Sequence, residues 1–77
     1  MLTLTGAKVL VTGASGNLGA ELARYLARAN TVVGSARFTR GDAKAYLEEA
    51  GVTCVRHELG VDPLEVLPQD IEFIFNF

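Results

Sequence analysis

Gly13, Gly16 and Gly19 stand three apart, directly after the apolar run Val9-Leu10-Val11-Thr12, and a helix-forming sequence begins at Asn17. Residues of these types at this spacing suit one kind of chemistry, the holding of a pyrophosphate against main-chain amides. Gly13 lets the chain turn sharply out of a strand. Gly16 removes a side chain where a phosphate must approach backbone, and Gly19 lets the following helix sit close to the strand. The amides around Asn17 and Leu18 are then left open at the start of a helix whose dipole favours negative charge, and Ser15 can add a hydroxyl donor. No Gly-Lys-Ser/Thr follows, so the turn is not the P-loop of a nucleoside-triphosphate enzyme.

Other residues capable of chemistry stand apart from one another. His57 is the only histidine; a single imidazole without clustered partners makes no metal site, and a loop or cofactor-edge position suits it better than catalysis. Cys54 is the only cysteine, which excludes an intramolecular disulfide and a cysteine-based zinc site; set in an apolar stretch, it reads as a buried thiol. Glu48 and Glu49 are neighbours on a predicted helix, so their side chains diverge into solvent. Glu21 has no partner in view.

The elements that must position the glycine turn alternate in type. Lys8 to Thr12 reads as a first strand, its contiguous apolar residues matching a parallel strand covered on both faces. Asn17 to Ala29 reads as a helix with Leu18, Leu22, Tyr25, Leu26 and Ala29 facing inward, stopped by Asn30. Thr31 to Ala36 is a second strand. Asp42 caps a second helix that runs to about Ala50, with Ala43, Tyr46, Leu47 and Ala50 inward and Gly51 just past its end. Val52 to Arg56 is a third strand. Asp62-Pro63-Leu64-Glu65 carries the signals of a short helix start, and Ile71 to Phe77 reads as a fourth strand. This β-α-β-α-β-α-β order implies a parallel sheet with right-handed crossovers. Two full helices and a short one cannot cover both faces of four apolar strands, and the fourth strand has no helix after it. More chain or a partner, including a second copy, is therefore expected to cover the sheet.

Composition narrows the class. The 77 residues make one domain, about half of them apolar, with a net charge of −2. That charge gives no general attraction to nucleic acid or to anionic membrane. The first residues lack the basic and apolar regions of a signal peptide, and no run approaches the ~20 apolar residues that span a bilayer. A soluble, cytoplasmic location is the expectation.

Thr12-Gly13-x-x-Gly16-x-x-Gly19 resembles the Thr-Gly-x-x-Gly-x-x-Gly motif of the extended and atypical short-chain dehydrogenases/reductases, the NAD-dependent epimerase/dehydratase group. Arg56-His57-Glu58-Leu59 resembles the family segment in which an Asp-Leu pair contacts adenine, with Glu58 in the place of the aspartate. Glu72 to Phe77 resembles its Asp-x-Val-Phe-His-Leu strand, which in the family continues into Ala-Ala beside the adenosine ribose. The resemblance implies an α/β fold, a partial Rossmann fold whose parallel four-stranded sheet has the order 3-2-1-4 with flanking helices. Residues 1–77 would be the N-terminal part of a single NAD(P)-binding domain, truncated after strand four. Its dinucleotide would lie at the carboxyl ends of strands one and four, on Gly13, Ser15, Gly16, Asn17, Leu18, Gly19, Ala36, Arg37, Glu58, Leu59 and Phe77.

In this family an acidic residue at the end of strand two selects NAD. Here that place is held by Ala36, followed by Arg37. Without the carboxylate nothing repels a 2′-phosphate, and a guanidinium can bind one or stack on adenine, with Ser35 and Arg40 assisting. NADP is the expected cofactor, with NAD the alternative. The family's catalysts use a Tyr-x-x-x-Lys pair, the lysine lowering the tyrosine's pKa. Four residues after Tyr25 and Tyr46 come Ala29 and Ala50, so both tyrosines read as core, and no catalytic residue and no metal ligand is assigned. The implied parent is an NAD(P)-dependent oxidoreductase, epimerase or dehydratase acting on a nucleotide-sugar or other small carbonyl or hydroxyl substrate through sequence beyond Phe77. The competing reading is a non-catalytic NAD(P)-binding sensor or module.

Overall fold

The computed structural model describes residues 4–39, 41–58, 62, 65 and 67–77. Six elements follow one another: β1 (Lys8–Thr12), α1 (Asn17–Leu26), β2 (Thr31–Ala36), α2 (Gly41–Glu49), β3 (Thr53–Arg56) and β4 (Phe73–Asn76). The strands form one parallel sheet in the order β3-β2-β1-β4. This is the predicted 3-2-1-4 arrangement, a Rossmann-like α/β fold. β1 lies at its centre, with Leu10 opposite Val33 on one side and Ile74 on the other.

Alternation along β1 divides the core. Val9 and Val11 face the layer made by α1 and α2, where they join Ala20, Ala23, Leu26, Leu47 and Val52. Leu10 and Val33 face the opposite side, where Leu67 covers them with help from Val55 and Ile71. Both long helices thus serve one face. Among the described residues the other is covered by Leu67, Val55 and Ile71, and Ile74, beside Leu10, is 61% exposed.

The face that α1 buries differs from the predicted one. Gly19, Ala20, Ala23 and Leu26 are buried, whereas Leu18 is 75% and Tyr25 42% exposed and Ala29 lies in the turn beyond the helix. Small residues form this stripe because the helix packs close against the sheet, leaving no room for large side chains. Leu22 is half-buried beside the core. On α2 only Leu47 is buried; Tyr46 is 41% exposed, and Ala43 and Ala50 are half-buried. Neither tyrosine is a core residue.

The helix ends have definite causes. α1 stops at Leu26, three residues before the predicted end, and Asn30 closes it: its Nδ2 donates to the carbonyls of Leu26 and Leu4, each at 3.0 Å, while its Oδ1 accepts the Ala7 N–H at 3.0 Å. One amide side chain thereby ties the helix end to the entry of β1. After α2, Gly51 adopts φ +92°. Its N–H donates to Glu48 O and that of Val52 to Leu47 O, a Schellman pattern with Leu47 and Val52 sharing the core above it.

β3 begins at Thr53 rather than Val52, and β4 spans Phe73–Asn76 rather than 71–77. The predicted short helix after Asp62 falls mostly outside the described residues. Within them, Asp62 turns back on Glu58, donating its N–H to Glu58 O at 2.9 Å and accepting the Glu58 N–H on Oδ2 at 2.7 Å. Among the described residues no helix is long and apolar enough to cross a membrane.

Candidate functional site

Polar and small residues converge where the parallel strands end. Beyond β1 the chain turns at Gly13, with φ +66°, a conformation that side-chain-bearing residues rarely adopt. A Cβ there would also stand 2.6 Å from the Phe77 carbonyl oxygen, because the exit of β4 abuts the turn. The Thr12 hydroxyl donates across to the Asn76 side-chain oxygen, and the Phe77 N–H reaches Thr12 O at 3.3 Å. Ala14 is fully buried and donates its N–H to Ser35 O at 3.2 Å, carrying the β1–β2 pairing past the end of both strands.

Gly16 is the N-cap of α1 and supplies no side-chain cap. Its carbonyl accepts the Ala20 N–H at 2.8 Å, so the amides of Asn17, Leu18 and Gly19 precede the first bonded one and find no acceptor among the described residues. Gly16 is exposed, and a Cβ there would meet only Gly13 O, at an ordinary 3.5 Å. Internal packing therefore does not require glycine at position 16. Gly19 is the reverse: it is buried, and a Cβ on it would lie 2.5 Å from Gly13 O.

Two clefts adjoin across this turn, and Ser15 lines both. The first, of about 250 Å³, lies at the carboxyl ends of the strands. It brings together Gly13, Ser15, Ala36, Arg37, Glu58 and Phe77 from the predicted set, and adds Thr12, Ser35 and His57. The second, of about 620 Å³, runs between the starts of α1 and α2; Gly16 and Asn17 line it together with Glu21, Asp42 and Tyr46. Leu18 lies on the open surface, and Gly19 beneath the turn. Leu59 and Arg40 lie outside the described residues.

Electrostatics separate the clefts. Arg37 is the one arginine or lysine among the described lining residues of the first, and its Nη1 lies 3.5 Å from Glu58 Oε1. Both side chains are solvent-exposed in part. Beneath them His57 is buried, and its N–H donates to Ala36 O at 2.9 Å, which fixes the exits of β2 and β3 against each other. The second cleft is acidic. There the Tyr46 hydroxyl donates to Glu21 Oε1 at 2.5 Å, and Arg24 stacks on the Tyr46 ring at 4.1 Å while bonding the Tyr46 carbonyl. The hydrogen bond to the Glu21 carboxylate, with burial and the Glu21 charge, raises the Tyr46 pKa above its ordinary value.

Solved ketoreductases share this fold. Over 92% of its length the chain is similar to A-type ketoreductases from modular polyketide synthases, at 26% identity and a TM-score of 0.61. Over 74% it is similar to an N-terminal ketoreductase from the macrolactin assembly line, at 25% identity and a TM-score of 0.50. The chain spans 18% and 13% of the lengths of those proteins. The sequence matches no protein-family model and none of the curated proteins.

The cleft's residues fit a dinucleotide on structural grounds. Across the two adjoining clefts, Gly16 is exposed and is not required as glycine by packing, the three amides that follow it lack acceptors among the described residues, and one guanidinium stands just past the end of β2. Thr12, the first residue of the glycine motif, and Ser35, expected to assist Arg37, both line the strand-end cleft. Their signal is positional: each is a hydroxyl residue at or next to the end of an inner strand.

Proposed function

We propose that residues 1–77 form the cofactor-binding part of a single NAD(P)-binding domain in an oxidoreductase, with NADP preferred over NAD. The observation that carries this reading is the meeting of the Gly13 turn and Arg37 in one cleft at the carboxyl ends of β1 and β2, with Ala36 in place of a carboxylate. Bound there, a nicotinamide dinucleotide supplies or accepts a hydride. The residues of this chain bind and orient it: the amides after Gly16 take the pyrophosphate, Ser15 adds a hydroxyl, and Arg37 takes a 2′-phosphate. Glu58 and Phe77, which line the same cleft, border the adenosine.

Likeness to ketoreductases supports reduction of a small carbonyl substrate. The Thr-Gly-x-x-Gly-x-x-Gly spacing keeps a nucleotide-sugar epimerase or dehydratase as a finer form of the same reading. A second reading, a dinucleotide-binding module without turnover, draws on one fact: neither tyrosine lines the strand-end cleft. A Tyr-x-x-x-Lys in sequence continuing past Phe77 favours the enzyme.

Calorimetric titration of the chain with NADP and NAD tests the proposal. Tighter binding of NADP is the expected result. Equal affinities refute the 2′-phosphate assignment to Arg37, and no binding of either refutes the site.

A further inference from the structure

The residue that bears on the 2′-phosphate most directly, after Arg37, is the one already paired with it. We infer that Glu58 is an internal competitor for Arg37, so that its carboxylate limits the preference for 2′-phosphorylated nucleotides. The inference rests on the reading of the strand-end cleft as a dinucleotide site.

Three observations carry it. The Glu58 carboxylate lies 3.5 Å from the guanidinium, within the same cleft, with no other arginine or lysine among the described lining residues. Both partners are held from behind. Arg56 Nε donates to Arg37 O at 3.1 Å, and the Glu58 main chain is locked by two hydrogen bonds to Asp62. The bond from His57 N–H to Ala36 O sets the two strand exits side by side, so the acid and the base face each other across adjacent strands.

A 2′-phosphate reaching Arg37 must displace that carboxylate and then remain near it. The dianion gains the guanidinium and meets an acid at close range. A nucleotide without the 2′-phosphate pays neither penalty, and Glu58 remains free to accept from its adenine or ribose. Substitution of Glu58 should therefore act on phosphorylated and unphosphorylated ligands unequally. A residue with a purely structural role would shift both alike.

The test is calorimetry with 2′,5′-ADP and 5′-AMP on the chain and on the Glu58→Gln, Glu58→Ala and Arg37→Ala variants, each checked for folding by circular dichroism. Because the pair is exposed, the expected gain is modest: 2′,5′-ADP binds about three- to tenfold more tightly to both Glu58 variants, and 5′-AMP no more tightly than before. Arg37→Ala is expected to erase the preference for 2′,5′-ADP. Unchanged or weakened 2′,5′-ADP binding in both Glu58 variants, with Arg37 still required, overturns the competition and leaves the cofactor assignment standing. A preference that survives Arg37→Ala, or a chain that binds neither probe, overturns the assignment itself.

Discussion

Gly19 lies so close to Gly13 that a methyl group on it would stand 2.5 Å from the Gly13 carbonyl oxygen. The obstacle is backbone, which cannot swing aside as a side-chain tip can. Gly19→Ala is expected to destabilise the fold by about 1–3 kcal/mol, the usual range for overpacking. Gly13→Ala should cost at least as much, since it adds a positive φ to a 2.6 Å approach to Phe77 O. Gly16→Ala meets no such contact and should leave stability within about 1 kcal/mol, while weakening nucleotide binding. Urea unfolding midpoints read the first two effects; calorimetry with NADP reads the third. Loss of stability in Gly16→Ala equal to that in Gly19→Ala would refute this division of roles.

Asn30 joins three segments through one side chain. Asn30→Ala removes the bonds to Ala7, Leu4 and Leu26 together, and a loss of about 2–3 kcal/mol is expected, because partly buried groups are left without partners. Asn30→Asp should rescue little, since it keeps the acceptor for Ala7 N–H but sets a charge against two carbonyls. Chemical denaturation measures both.

Tyr46 should titrate above an ordinary tyrosine. The Glu21 carboxylate accepts a hydrogen bond from its hydroxyl, and Arg24 opposes the rise only in part. In a Tyr25→Phe background, the tyrosinate absorbance should have its midpoint above 10.0, and Glu21→Gln should bring it down towards that value. The sign for stability follows. With the folded pKa raised, the contribution is complete below the ordinary tyrosine pKa and is lost as pH rises through the folded value.

Cys54 should be a slow nucleophile. Burial is the main cause that raises its pKa, the Glu48 charge adds to it, and Lys44 lowers it in part. The thiol is half-buried, its Sγ directed at the Lys44 carbonyl at 3.8 Å. At mildly alkaline pH, alkylation by iodoacetamide should run more slowly than for a free cysteine and accelerate in urea. Equal rates in the folded and unfolded chain would contradict the burial.

Much of this architecture is legible in the residues. β1 and β2 occupy their predicted ranges because contiguous apolar residues flanked by Gly13 and Asn30 leave one assignment open. The buried face of α1 was misread for a physical reason. Leu18, Leu22, Tyr25 and Ala29 form one helical stripe, and Gly19, Ala23 and Leu26 form another; only the tightness of packing against β1 and β2 chooses the second. β4 lies at the edge that the expected order 3-2-1-4 implies, and its apolar Phe73 and Ile74 are 46% and 61% exposed. For the candidate site, Gly13, Arg37 and Glu58 could be named from motif and resemblance. The contact between Arg37 and Glu58 could not, since it arises from β2–β3 register: Ala36 pairs with Arg56, which brings Arg37 level with His57 and within reach of Glu58, one residue further on.

The central place of β1 also sets a schedule for folding. Its partners arrive at very different times, because Val9 pairs with Val32 on one edge and with Phe73 on the other. The first pairing closes a short loop through α1. The second must wait until Phe73 has been synthesised, and loop closure over so long a separation is slow. Until then the apolar edge of β1 stays open to strands of other chains. Aggregation during expression should therefore depend on how fast β4 docks, and substitutions in β4 should change soluble yield more than they change the stability of the folded protein.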